Sequence, residues 1–243
     1  MEIAETKKSI IEKLQRQILE LQGIRDTGTS KVKGLGEVEK AFPNGTFPTG
    51  VIHEFTSNEY GGYVATHGFI AALLGKLMAQ GGPCLWVSRN RRAAPGGLAA
   101  FGIPPERVIF IDLDRDKDLL WTIEEALKCP GLSAVVGEVG NLDFNASRRL
   151  QLAVEESRVT GFIHCCRPAY LQQTTSVARW RIAPLPSWLP DGMPGIGHPC
   201  WRVELLKVRS GKPGTWDIQY AAGQLRHLDR QSVTAATYLE NAG

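Results

Sequence analysis

Three groups of side chains in this sequence have types and spacings that could do chemistry. The run His164-Cys165-Cys166, with His198 and Cys200 further on, holds the ligand types of a zinc site. Successive strand residues point to opposite faces, however, and the spacing matches no structural zinc knuckle, so a buried strand with inert thiols is the better account. No metal site is expected. The histidines His53, His67 and His227 have no recognisable nucleophile–base arrangement around them, and the sequence contains no G-x-S-x-G elbow. The third group is arginine. Arg89, Arg91 and Arg92 follow one β-rich run, Arg167 follows another, Arg148 and Arg149 open a helical pattern, and Arg179 and Arg181 flank Trp180. Gathered on one face, they would attract phosphates by counterion release, giving weak, salt-sensitive, sequence-tolerant DNA binding. Scattered, they would solubilise the fold or meet acidic partners, and a net charge of only +3 favours this second reading. Arg179 and Arg181 share a strand face opposite Trp180, which makes them the best phosphate or partner candidates.

These groups must be positioned by a packed body. With 43% hydrophobic and 22% charged residues in 243, the chain is neither a disordered polyelectrolyte nor a strongly electrostatic nucleic-acid binder, and it can bury a core within one domain. Five cysteines, an odd number with no C-x-x-C spacing, suit a reducing compartment, so a cytoplasmic location is expected. The charged run Glu2 to Lys8 leads into a helical pattern rather than an apolar signal segment, and Tyr60–Gly75 is too short and polar to span a bilayer. No membrane association is expected.

Ile10, Leu14, Ile18 and Leu21 recur at helical spacing, and Gly23 marks a stop. The stripe formed by Ile10, Leu14 and Leu21 either covers the core or docks onto a partner. Residues 25–36 read as a linker, placing a boundary near Lys40. Strand and helix patterns then alternate: strands at Val51–Phe55, Cys84–Ser88, Val108–Leu113, Ala134–Val139 and Gly161–Cys166, and helices at Ala65–Gln80, Ala93–Phe101, Lys117–Lys128 and Ser147–Ser157, the last capped by Asn145. This order predicts a mostly parallel, twisted α/β sheet with helices on both faces. Ser176–Ala183, Trp201–Arg209 and Trp216–Tyr220 have no helix between them and should form an antiparallel meander, with a turn at Gly211-Lys212-Pro213-Gly214. A Pro- and Gly-rich excursion around Trp188 reads either as a binding loop or as a long surface loop. The organisation is therefore residues 1–40 as helix and linker, 41–225 as core and 226–243 as a tail with a helix at Ser232–Asn241.

The segment from Phe47 to Phe55, the glycine-bearing loop and helix after it, and the order of elements from about Pro43 to Gly223 resemble the nucleotide-binding core of the RecA family. A P-loop cradles phosphates with backbone N–H groups, sets a lysine on the terminal phosphates and holds magnesium with a hydroxyl. Aligned on that motif, Ser57 takes the place of the first glycine, Gly62 (after Gly61) keeps the second, and Tyr63 and Val64 replace Lys and Ser/Thr. Arg89-Asn90 stand where the family carries its water-activating glutamate. Glu138 falls at the magnesium-associated aspartate, and a solvated strand-end glutamate is the better account of it. The resemblance thus implies a degenerate P-loop, with ATP binding and hydrolysis both lost and the glycines kept for turn and packing.

Ala146–Ala153, Gly161–Ile163, Ala178–Ser187 and the N-terminal run from Thr6 to Gln15 are similar to the ImuA family, RecA-like proteins of bacterial mutagenesis operons distantly similar to the division inhibitor SulA. That resemblance implies a non-catalytic factor in damage-induced, error-prone translesion synthesis. Its partners would be ImuB, a homologue of the Y-family polymerases, and an alternative replicative polymerase alpha subunit. An active DNA-dependent ATPase with an unusual phosphate loop and a SulA-like division inhibitor are the alternatives. The segments Gly140–Asn145 and Arg167–Thr175, where RecA proteins grip DNA, are short here.

Overall fold

The computed structural model describes residues 9–10, 13–14, 17–18, 32–79, 81–166, 168, 172–188 and 197–228, apart from the side chains of Asn44 and Trp188. Its strands are β1 (Ile52–Ser57), β2 (Cys84–Ser88), β3 (Val108–Asp112), β4 (Ala134–Val139), β5 (Thr160–Cys166), β6 (Ala178–Trp188), β7 (His198–Val208), β8 (Gly214–Ala221) and β9 (Gln224–His227). Its helices are α1 (Tyr60–Met78), α2 (Pro95–Ala99), α3 (Asp116–Leu127) and α4 (Phe144–Ser157). Among the described residues these strands form one sheet in the order β3-β2-β4-β5-β1-β6-β7-β8-β9. Pairing is parallel from β3 to β6 and antiparallel from β6 to β9. The mostly parallel α/β sheet with a closing meander is thus the one expected.

Two apolar layers hold it. β1, β2 and β4 are buried along their whole lengths, as strands covered on both faces must be. Alternate residues feed opposite layers. Phe55, Trp86, Val136 and Phe162 pack with α1, whereas Ile52, Leu85, Val135 and Ile163 pack with α3 and α4. α1 packs tightly against its neighbours along one side, where glycine recurs every seventh residue. A Cβ at Gly68 would sit 2.8 Å from the Trp201 ring, and one at Gly75 only 2.2 Å from the Phe101 carbonyl oxygen.

Several boundaries differ from the sequence reading. Val32, Leu35 and Val38, assigned there to the linker before Lys40, are buried in the α1-side layer, and Val32 bridges Phe47. At the other end β9 carries Arg226 and His227, paired with Gln219 and Ile218, beyond the expected core limit at 225. α1 begins five residues earlier than expected, because Tyr60, Gly61 and Gly62 are already helical. Asp143, not Asn145, caps α4: its carboxylate accepts the Ala146 N–H at 2.7 Å. Part of the Pro-rich excursion is strand, since β6 runs through Pro184 and Pro186 to Trp188 and pairs with β7. Ser9, Ile10, Lys13, Leu14, Gln17 and Ile18 are helical and exposed. Leu21, Arg167 and the helix expected at 232–241 lie outside the described residues. No described helix is long and apolar enough to cross a membrane.

Candidate functional site

The carboxyl ends of the parallel strands, where sheets of this type bind ligands, converge on Ser57, Glu138, Gly140 and Cys166. These residues line a notch of about 350 Å³ together with Glu59, Tyr60, Tyr63, Arg89, Asn90, Arg92 and Asp116. Only Asn58 and Glu59 separate β1 from α1. A phosphate-cradling motif needs loop backbone between its two glycine positions, and here Tyr60 and Gly61, half of that stretch, already belong to the first turn of α1. The glycines serve packing instead. A Cβ at Gly61 would lie 3.3 Å from Pro184 Cγ, and one at Gly62 would lie 3.4 Å from the Ile182 carbonyl oxygen. Val64 is half exposed.

Parity explains what surrounds Glu138. Glu138 of β4 is paired with His164 of β5 and His164 with Phe55 of β1, Ser57 lies two residues beyond Phe55 on the same face, and this face, to which Trp86 of β2 also belongs, is the one turned to α1. Tyr63 and His67, one turn apart on α1, descend onto them. Tyr63 donates its hydroxyl to Glu138 Oε2, Trp86 Nε1 donates to Oε1 at 2.6 Å, and His67 Nε2 lies 3.3 Å from Oε1 at ion-pair range. The Tyr63 ring also packs against His67 and His164, with ring centres 4.2 Å and 5.2 Å away. Burial opposes the Glu138 charge, but His67 beside it and the donors Tyr63 and Trp86 hold its carboxyl below the usual range. Burial, then Glu138, raises the Tyr63 phenol above its ordinary range. The retained acid is therefore not the solvated strand-end glutamate expected: it is 7% exposed and occupied by side chains.

Ser57 Oγ lies 2.7 Å from His164 Nε2, a contact not foreseen from the sequence. Burial, and then the neighbouring His67, push His164 down to about 3, so this imidazole is neutral at physiological pH. Its Nδ1 has no hydrogen-bond partner among the described residues, so nothing orients it as a base toward the buried serine. The pair closes the polar cluster rather than opening a reaction. His67, Trp86 and His164 were missed as partners of Glu138; their even spacing along neighbouring strands and one helix face was the signal available.

The arginines separate. Arg89 pairs with Asp116 at 2.7 Å, Arg91 with Asp112 at 3.4 Å, Arg149 with Glu124 at 3.1 Å and Arg181 with Glu204 at 2.5 Å. Arg179 is buried against Glu54 at 3.1 Å and also donates to the Gln172 carbonyl and to Thr174 Oγ1. It is a strut inside the fold, not the exposed phosphate contact expected from its alternation with Trp180. Arg148 is exposed, and Arg92 stacks on Tyr60 and Tyr63. Among the described residues no three His, Cys, Asp or Glu side chains are placed to hold a metal ion. Burial pushes the Cys84 thiol up to about 12 and raises Cys165 as well.

The sheet order, with its helix directly after β1 and its closing meander, defines a RecA-like α/β protein in which Glu138, at the carboxyl end of β4, is engaged by Tyr63 and Trp86. A KaiC-like protein from Pyrococcus horikoshii OT3 shares the fold with a TM-score of 0.54 and 16% identity, over 82% of this chain and 99% of that one. No family model matches the chain. It is 35% identical over 200 residues to Protein ImuA of Caulobacter vibrioides strains NA1000 / CB15N and ATCC 19089 / CIP 103742 / CB 15, covering 76% of this chain and 81% of theirs. The chain belongs to the ImuA family.

Proposed function

We propose that this chain is a non-hydrolytic RecA-like adaptor of damage-induced, error-prone translesion synthesis, cytoplasmic, with no bound nucleotide in its working cycle. In this reading it binds an ImuB-like homologue of the Y-family polymerases and, directly or through it, an alternative replicative polymerase alpha subunit. The observation that carries the proposal is the Tyr63 hydroxyl seated on Glu138 beneath a two-residue β1–α1 connection. A tyrosine stands where a P-loop would present its lysine, and the one acid positioned for magnesium is already satisfied. Membership of the ImuA family supports the choice of partner class. DNA contact is weak and secondary, because five of the eight arginines singled out already hold carboxylates. Tagged chain expressed in DNA-damaged cells tests the proposal: it should retain the polymerase-related partner equally with and without Mg-ATP. Retention of a tubulin-like division protein in its place would support the SulA-like alternative and overturn this one.

A further inference from the structure

Beside this notch lies a second cavity, about 720 Å³, between α1, α2 and the paired ends of β6 and β7. Val64, Leu98, Phe101, Leu185 and Trp201 give it an apolar lining. Tyr60, 61% exposed, and Val64, 50% exposed, stand at its edge. Tyr60, Tyr63 and Arg92 form the ridge that divides it from the notch. Among the described residues Arg92 is the one Lys, Arg, Asp or Glu in the groove lining. Its guanidinium is held 5.4 Å from the Tyr60 ring centre and 5.1 Å from that of Tyr63. Among the described residues it has no carboxylate within ion-pair range, whereas Arg89 and Arg91 beside it each have one. Glu59 stands on the notch side, outside the groove lining.

We propose that this groove receives an acidic, apolar segment of a protein partner, its apolar side chains seated between Val64, Leu98, Leu185 and Trp201 and one carboxylate paired with Arg92. Tyrosine, tryptophan and arginine around an apolar pocket are the residue types that anchor protein interfaces. A prearranged, stacked guanidinium pairs with a carboxylate at little further entropic cost. Charge decides between occupants. The chain's own exposed stripe of Ile10, Leu14 and Ile18 lies in residues 7–20, where Lys7, Lys8, Lys13 and Arg16 outnumber Glu12 and Glu20, so a second copy of that segment would bring like charge to Arg92. Single-stranded DNA needs a row of cations along a backbone path, and among the described residues the groove lining offers one. The inference rests on the adaptor reading for its choice of a protein occupant and names the surface used.

Overlapping fluorescein-labelled 15-residue peptides covering the polymerase-related partner, titrated with the full chain by anisotropy, test it. The tightest peptide should carry apolar residues with at least one Asp or Glu. It should lose at least tenfold in affinity with Arg92→Glu and with Val64→Glu, and the loss with Arg92→Glu should be reversed when the peptide's acid is replaced by Lys. Circular dichroism establishes that both variants are folded. Capture of the whole partner unchanged by either substitution would overturn the groove and leave the adaptor reading standing. Absence of both peptide binding and partner capture by the native chain would overturn both. An oligo-dT 20-mer that binds in an Arg92-dependent way while no peptide binds would overturn the proposal in favour of nucleic acid.

Discussion

Tyr63 of α1 and Glu138 of β4 are joined through the phenol hydroxyl and carboxylate at the one place where a RecA-like fold would hold phosphate and magnesium. Glu138 thereby spends its acceptor capacity on Tyr63 and Trp86, with His67 at its flank, so removing the carboxylate strands three buried or half-buried groups at once. Glu138→Gln should lower unfolding stability by about 1–3 kcal/mol, the cost of misdirecting hydrogen bonds in a buried cluster. Urea titration measures this, and an unchanged midpoint would show that the cluster is not formed in solution.

The chain should be acid-labile well above the carboxylate range. His53, buried and donating from Nε2 to the Pro48 carbonyl, is pushed down to about 4 by burial, and His164 to about 3. Both take up a proton on unfolding wherever pH lies below the ordinary histidine value near 6.5 and above these folded values. Their stabilising contribution is thus complete above about pH 6.5 and is lost as pH falls toward about 4 and then 3, at about 1 kcal/mol per pH unit for each histidine. Glu138, whose carboxyl is held low, adds loss in the same direction at the acid end. Stability against urea should be level from about pH 7.5 to 6.5 and fall steadily from there to about 4.5, and His164→Asn should flatten that slope.

Arg179 and Arg181 look alike in the sequence and should behave differently. Arg179→Ala leaves Glu54 buried without its partner and should cost about 3–5 kcal/mol. Arg181, half exposed on Glu204, should cost less than about 1 kcal/mol when replaced by alanine. Reversing both charges together is therefore a stability experiment rather than a test of DNA contact, for which Arg148→Glu with Arg92→Glu is the cleaner pair.

Close packing of α1 predicts a matched contrast. Gly75→Ala drives a methyl against the Phe101 carbonyl and should destabilise by at least about 1–3 kcal/mol, whereas Gly96→Ala in α2 meets nothing within 4 Å and should stabilise by about 0.5–1 kcal/mol. Thermal melts of the two variants decide the sign of each.

Strand and helix order was legible because the parallel strands β1, β2 and β4 are short apolar runs and α3 and α4 are amphipathic. The start of α1 was not: Gly61 and Gly62 look like loop residues, and their reason for being glycine is the approach of Pro184 and Ile182 across the sheet. Val32 to Val38 looked like a linker for a similar reason, since what buries them is a tertiary contact with no local period. At the site, the replacement of the P-loop lysine and hydroxyl by Tyr63 and Val64 is visible in the sequence alone. The polar cluster around Glu138 is not, because it depends on His67, Trp86 and His164, which come from three separate elements. Arg179 illustrates the limit of alternation: period two placed it opposite Trp180, but only the register with β1 sets Glu54 beside it.

If the exposed helical positions Ile10 and Leu14 carry partner contact, replacing both with Glu should leave the urea midpoint unchanged and weaken partner capture at least tenfold. The C-terminal arm of the same experiment must cut after Leu228, since truncation after Leu225 would remove half of β9, including the pairing of Arg226 and His227. Equal capture by both variants would direct attention to the groove at Arg92.

Calorimetric titration of purified chain with Mg-ATP, with phosphate release followed with and without single-stranded DNA, tests most directly whether the engagement of Glu138 by Tyr63 and Trp86 has replaced nucleotide binding. No saturable heat and no release above the buffer rate are expected, and the same is expected of Tyr63→Lys combined with Val64→Thr, because the β1–α1 connection stays two residues long. Saturable binding by the native chain, with turnover abolished by Glu138→Gln in protein that remains folded, would contradict that replacement and restore the reading of an active ATPase.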